Sequence, residues 1–158
     1  MWDSEALPAV APELPPGLRD AAGGMLEVLE TMFFELPIAP LREDSPPADV
    51  PGAAVEFTGT RRGRLDVRLD AAAARRLAAS FLGREDERTV TGPEIELVTL
   101  ELANMLCGAA LSRIEPQGRF RIEAPRLESS MPEGAGPWLV APLESGRVAV
   151  RLECEEAA

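Results

Sequence analysis

The stretch from Thr91 to Ile114 limits the possible folds of this chain more than any other segment. Thr91-Gly92-Pro93 has the form of a helix start, a hydroxyl cap followed by proline in the first turn. Apolar residues then recur at helical spacing as far as Ile114. About 22 residues at 1.5 Å each make a rod of roughly 33 Å. Val98, Leu102, Met105, Leu106 and Ala109 spread over a broad apolar arc of that rod, so other elements must cover it.

The rest of the sequence offers those elements. Leu18, Met25, Leu26, Leu29, Met32, Phe33 and Leu36 recur three, four and seven apart and predict a helix from Leu18 to about Leu36, weakened in its first half by Gly23 and Gly24. Ala54 to Thr60 and Arg64 to Asp70 alternate apolar with polar residues around Arg61, Arg62 and Gly63, which predicts a β-hairpin. Asp70 is placed to cap a short helix over Ala71 to Leu82, with Gly83 ending it. Beyond Ile114, Arg119–Ala124, Pro137–Pro142 and Arg147–Glu153 are predicted strands. Pro37 to Gly52, with five prolines, is predicted as a surface loop, and residues 1–17, with Pro8, Pro12, Pro15 and Pro16, as a flexible leader before a single domain over 18–158. The order α, β, β, α, α, β, β, β predicts an α+β fold, with two long helices and a short helix packed on an antiparallel β-sheet.

Composition narrows the chemistry. A length of 158 residues can bury roughly 70% of its unfolded surface. A formal net charge of −11 argues against nucleic acid as a partner. There is no His, which removes Ser/His and Cys/His hydrolysis, and Cys107 and Cys154 lack metal-ligand spacing, so no cofactor or metal is expected. The start MWDSEALPAV has neither a basic nor an apolar signal region, and no apolar run approaches a ~20-residue membrane span. A soluble, cytoplasmic protein with reduced thiols is the expectation.

Opposite the apolar arc of the long helix, Glu94, Glu101, Asn104, Gly108 and Ser112 share one line. Most surface Glu and Asn are merely solvated. Here Asn104 and Gly108 are both poor mid-helix residues, the glycine costing about 1 kcal/mol against alanine. Helix interiors that accept such costs are more often functional or close-packed. Gly108 would let another protein surface approach that line closely.

The segment Glu101-Leu-Ala-Asn104-Met-Leu-Cys-Gly108 resembles the Glu-x-x-Asn signature of the CheC/CheX/FliY phosphatases, in the CheX form with Gly four residues after Asn. The Phe57-x-Gly59 strand ending, the hairpin, the Ala-rich small helix and the first helix with Leu29, Met32 and Phe33 fit the same pattern over residues 18–154. The resemblance implies a phosphatase acting on the aspartyl phosphate of a CheY-like response regulator. It implies that Asn104 orients the attacking water and Glu101 docks, with Glu94, Gly108 and Ser112 as neighbouring partner contacts. Mg²⁺ is expected in the partner regulator rather than in this chain. Phosphoryl transfer from an activated acyl phosphate needs mostly positioning and charge neutralisation, so a neutral carboxamide suffices.

Two departures from the family pattern stand out: Leu97 occupies a position that is often Asp or Ser, and Pro125 is spaced unusually. The first helix offers Glu27-Val-Leu-Glu30 with no Asn, so the resemblance implies one site per chain. A homodimer through sheet edges is implied too, with Trp138–Val140 and Val148–Leu152 as the apolar strands available for it. Arg61, Arg62 and Arg64 are expected at a solvated hairpin tip, Cys107 in the core, and Glu153, Glu155 and Glu156 in a frayed tail. Two further functions fit the same residues: a module that binds a receiver domain without hydrolysing its phosphate, and a structural subunit of the flagellar-switch type. The latter usually carries a further C-terminal domain, whereas this sequence stops at Ala158.

Overall fold

Among the described residues seven strands form one antiparallel sheet and three α-helices cover one of its faces, the α+β class expected from the sequence. The computed structural model describes residues 10–11, 14, 16–48, 52–134 and 136–156. In chain order these contain α1 (Pro16–Phe33), β1 (Arg42–Glu43), β2 (Gly52–Gly59), β3 (Arg61–Leu69), α2 (Ala71–Leu82), α3 (Gly92–Ile114), β4 (Phe120–Ile122), β5 (Arg126–Glu128), β6 (Leu139–Leu143) and β7 (Gly146–Glu156). A 3₁₀ turn, Glu87–Thr89, leads into α3.

The sheet order is β1-β6-β7-β3-β2-β4, with β5 also paired to β2. Its longest ladder joins β3 to β7, from Arg61 opposite Glu156 to Leu69 opposite Val148. Alternation then sorts the side chains. Val55, Phe57, Leu65, Val67, Leu69, Leu139, Ala141, Val148 and Val150 join the helices in the main core. Asp66, Arg68, Ala149 and Arg151 occupy the other face, yet they too are buried.

What covers that second face is the strap 129–138. Arg68 donates to the Ser130 carbonyl, and Arg151 donates to the carbonyls of Glu133 and Gly134 at 2.7 and 3.1 Å. Arg151 is 2% exposed, lies 3.6 Å from the Asp66 carboxylate and places its guanidinium 5.3 Å from the centre of the Trp138 ring. Two buried cations thus satisfy the carbonyls of an irregular segment that would otherwise leave them unpaired. Trp138 packs on this outer face with Val140 and Ala149.

The helices are held as a set. Gly24 of α1 abuts the backbone of Ala109 and Ala110, where an added Cβ would lie 3.0 Å from the Ala109 carbonyl carbon, so this glycine sets the close approach of α1 to α3. Phe33 at the far end of α1 stacks on Phe81 of α2, and Arg76 of α2 binds Glu35. Arg84, just past that same C-terminal end of α2, binds Glu94 in the first turn of α3. α1 therefore runs antiparallel to α3, with its C-terminus beside the N-terminal half of α3. By length and composition α3 could cross a membrane, with a mean hydropathy of 1.4. Its apolar residues Val98, Leu102, Leu106 and Leu111 are instead part of the core.

Several expectations need correction. Ala11 and Leu14 are buried in the core and Val10 bridges Leu41, so packing reaches into the segment expected as a leader; residues 1–9 lie outside the described residues. Helix α1 ends at Phe33, because Phe34 takes a left-handed φ of 57°, and Leu36 and Met32 turn to solvent instead of joining a core stripe. The loop Pro37–Gly52 contains the buried Leu41 and strand β1, which pairs with β6. The hairpin reverses at Gly59 and Thr60 rather than at residues 61–63, since Gly59 has φ 126° and the Arg119 carbonyl lies 2.2 Å from where its Cβ would be. Asp70 stands at the N-cap of α2 as expected, but its side chain makes no capping hydrogen bond. Its carboxylate accepts from the Arg147 backbone N–H at 2.6 Å and from the Arg147 guanidinium, a charged donor that outcompetes the helix amides.

Strand β5 was not expected, and the acidic C-terminal segment is ordered as the end of β7 to Glu156. β6 is paired on both sides by β1 and β7, and β7 by β6 and β3, so the strands expected to meet a second copy present no free edge.

Candidate functional site

Helix α3 carries the site, and its start explains how firmly the site is placed. Thr91 Oγ1 accepts from the Glu94 amide at 3.3 Å, and the Glu94 carboxylate accepts from the Thr91 N–H at 3.0 Å, a complete capping box. The same carboxylate receives both terminal nitrogens of Arg84. The Arg84 hydrogen bond first, then the Thr91 amide, hold the Glu94 carboxyl below its ordinary range. Glu94 is therefore consumed by the helix it starts and is not free to meet a partner.

Two turns further on the situation reverses. Glu101 and Asn104 are both exposed, and among the described residues neither side chain has a hydrogen-bond or ion-pair partner. Their spacing of three residues puts their Cβ atoms about 5–6 Å apart on one face. Behind them Leu102, Ala103, Leu106 and Cys107 are buried, so the backbone under the pair is fixed by core packing. Met105 and Ala109, assigned to the core arc by spacing, lie at its margin, and Ala103, Cys107 and Ala110 lie deeper. Burial pushes the Cys107 thiol up to about 12, which leaves it protonated and inert as a nucleophile.

The line continues past Asn104. Nothing lies within 4 Å of where a Gly108 Cβ would stand, so this glycine opens onto free space rather than onto a neighbouring helix. Ser112 is exposed and bends its hydroxyl back to the Ala109 carbonyl at 3.1 Å. One turn before Glu101, the exposed Leu97 shares the line. The structure thus brings together Glu101, Asn104, Gly108 and Ser112 on an open ridge, and removes Glu94 from it.

The basic cluster is neutralised locally. Arg61 pairs with Glu115 at 2.8 Å, Arg62 with Glu155 at 2.8 Å, and Arg64 with Asp66 and Glu128 at 2.8 and 3.1 Å. Among the described residues no group of His, Cys, Asp and Glu could hold a metal ion. Of what the structure exposes, spacing missed the loop after α1: Phe34, Leu36 and Ile38 stand in solvent. The run Met32-Phe33-Phe34 followed by proline-spaced apolar residues signals hydrophobicity but not its direction.

A family model described as chemotaxis phosphatase CheX matches residues 51–133. No curated protein gives a significant match. Among solved structures the chain is similar to a chemotaxis protein of Desulfovibrio vulgaris Hildenborough, with 19% identity and a TM-score of 0.69 over 89% of this chain and 97% of that one. It is similar to the chemotaxis protein CheX of Vibrio vulnificus, with 18% identity and a TM-score of 0.66 over 89% and 97%. A third, from the CheX-CheY-BeF3-Mg²⁺ complex of Borrelia burgdorferi, has 15% identity and a TM-score of 0.63 over 88% and 97%. At these identities the likeness is one of fold.

Proposed function

The chain belongs to the CheX family, and from that premise we propose that it dephosphorylates a CheY-like response regulator, with Glu101 and Asn104 as the residues inserted into the regulator's phosphorylated pocket. The observation that carries the reading is the unpartnered carboxylate and carboxamide on an open helix ridge above a packed core. The Borrelia relative is in complex with CheY, beryllium fluoride and Mg²⁺, and we carry that class of partner over to this chain. Mg²⁺ then belongs to the regulator.

In the proposed reaction Asn104 accepts a hydrogen bond from a water and holds it in line with the phosphorus. The new P–O bond forms as the bond to the aspartyl oxygen breaks, which returns the aspartate carboxylate and releases inorganic phosphate. Little proton transfer is needed before bond cleavage, because an acyl phosphate has a good leaving group; positioning supplies most of the rate. Glu101 binds a cation of the regulator and fixes the register of docking. With Glu27 and Glu30 on α1 and no Asn there, each chain has one such site. The reaction places the protein in the cytoplasm with its regulator. The homodimer implied by the resemblance would use the free β4–β5 edge, where Ile122 and Leu127 are partly exposed.

Decay of a phosphorylated receiver domain, followed with and without the protein, tests the reading. Asn104→Ala should retain binding and lose most of the acceleration, at least tenfold, whereas Glu101→Ala should weaken binding. Full activity in Asn104→Ala would remove the assigned role, and binding by the wild type with no acceleration would identify a receiver-binding module instead.

A further inference from the structure

Helix α3 carries one large apolar side chain that stands exposed among the described residues, Leu97 at 55%. A single exposed leucine is ordinary on a protein surface and by itself says nothing. Its place gives this one a meaning. Leu97 precedes Glu101 by four residues, so their Cβ atoms are neighbours about 5–6 Å apart on the open ridge. The fold makes no use of it there: Leu97 belongs to neither buried cluster, nor to the half-buried residues packed against the main one.

The same spacing sets two more apolar residues beside the polar pair. Leu100 follows Leu97 by three residues and precedes Asn104 by four, and Met105 follows Glu101 by four. Both are half-buried and packed against the main core, so each is held from below and still reaches the surface. Glu101 therefore stands between Leu97 and Met105, and Asn104 between Leu100 and Gly108. A polar centre inside an apolar rim that keeps water out is how the strongest points of protein interfaces are built. Of the three rim residues only Leu97 is exposed enough to be felt mainly by a partner.

The charge just before Leu97 is cancelled as well. Glu94, the other carboxylate along this side of α3, receives both terminal nitrogens of Arg84. The approach to Glu101 from the start of the helix is thus apolar and neutral rather than acidic. A surface that covers Glu101 and Asn104 must cover Leu97 too, and a charged or polar group set against the leucine would lose its water without finding a partner.

We propose that Leu97 selects the regulator: it seats on an apolar spot beside the phosphorylated pocket, one helical turn from the contact of Glu101, and receiver domains with a charged or polar group at that spot are rejected. This inference rests on the proposed function and adds to it the residue that discriminates among receivers with the same phosphorylated pocket. Chemistry stays with Asn104, so the discrimination appears in KM and not in kcat. Covering the exposed half of a leucine is worth about five- to tenfold in affinity.

The probe is a panel of CheY-type receiver domains, loaded with beryllium fluoride and Mg²⁺ for binding and phosphorylated for turnover. Against the receiver that the wild type prefers, Leu97→Ser should raise Kd and KM about five- to tenfold, equally at low and high salt, with kcat within twofold of wild type. Leu97→Asp should raise them further, and Leu97→Met should stay within twofold. The advantage of the preferred receiver over the others should shrink by the factor that Leu97→Ser loses. Thermal unfolding should be nearly unchanged, since the side chain is already in water. Unaltered Kd and KM in Leu97→Ser beside an active wild type would overturn the role of Leu97 and leave the proposed function standing. So would a loss confined to kcat, a loss equal for every receiver, or a marked fall in Tm, which would make Leu97 a structural residue. A wild type that neither binds nor dephosphorylates any receiver would overturn both.

Discussion

Replacing Gly108 with alanine separates folding from function in a way few substitutions can. Glycine in a helix interior costs about 0.8–1.0 kcal/mol relative to alanine. At Gly108 the new methyl group meets nothing within 4 Å, so the isolated protein should collect that difference in full. For a domain of this length it corresponds to a rise in Tm of roughly 2–4 °C. The same methyl group, however, stands on the line of Glu101 and Asn104, where the proposed function brings the regulator close. A displacement of about 1 Å at a reacting centre can cost on the order of a hundredfold. Gly108→Ala should therefore raise Tm while lowering kcat/KM by ten- to a hundredfold against a phosphorylated receiver. Gly24→Ala is the matching control: its methyl group would press on the Ala109 backbone at 3.0 Å, so the helical gain should be cancelled or reversed. Differential scanning fluorimetry and phosphate release measure the two quantities. A Gly108→Ala protein that is more stable yet keeps kcat/KM within twofold would refute the close approach, and a fall in Tm would refute the open space.

Glu94, assigned here to the helix start, should show it in acid. Its carboxyl is depressed in the folded protein, so its stabilising contribution is present above the ordinary carboxylate range and is lost as pH falls through the lowered folded value. The Tm difference between wild type and Glu94→Gln should therefore shrink between pH 5 and about 3, with receiver binding unchanged at pH 7; a constant difference down to pH 3 would contradict the assignment. Asp66→Ala removes the buried carboxylate that Arg64 binds at 2.8 Å and that lies 3.6 Å from the buried Arg151, leaving Arg151 only the more exposed Glu153 at 3.6 Å, and should cost about 3–5 kcal/mol in urea unfolding. A loss under about 1 kcal/mol would mean that Glu153 and the strap carbonyls suffice to keep that cation buried.

Long, periodic elements were legible from the residues. The Ala71–Leu82 helix and the 92–114 helix stand within a residue of where caps and stripes put them, because hydrophobic period and cap chemistry are local. The exposed Glu101–Asn104 face followed from the same wheel. What spacing could not show was decided across the chain. β1 and β5 are too short to display a period and exist through their partners β6 and β2. Asp70 looked like a cap until Arg147, 77 residues away, claimed its carboxylate. Glu94 fell on the functional line by angle alone, while Arg84 and Thr91 bind it to the helix start. Leu36 matched a helical stripe that the backbone abandons at Phe34.

Because the buried half of α3 packs on the sheet while Glu101 and Asn104 on its outward side bind no other side chain among the described residues, the two halves can drift under separate constraints. On the proposed function, losing Asn104 would leave a well-folded protein that still grips the regulator and shields its phosphate instead of releasing it. A silent protector and an active eraser of the same signal would then be one base change or two apart, on a scaffold that would not register the difference.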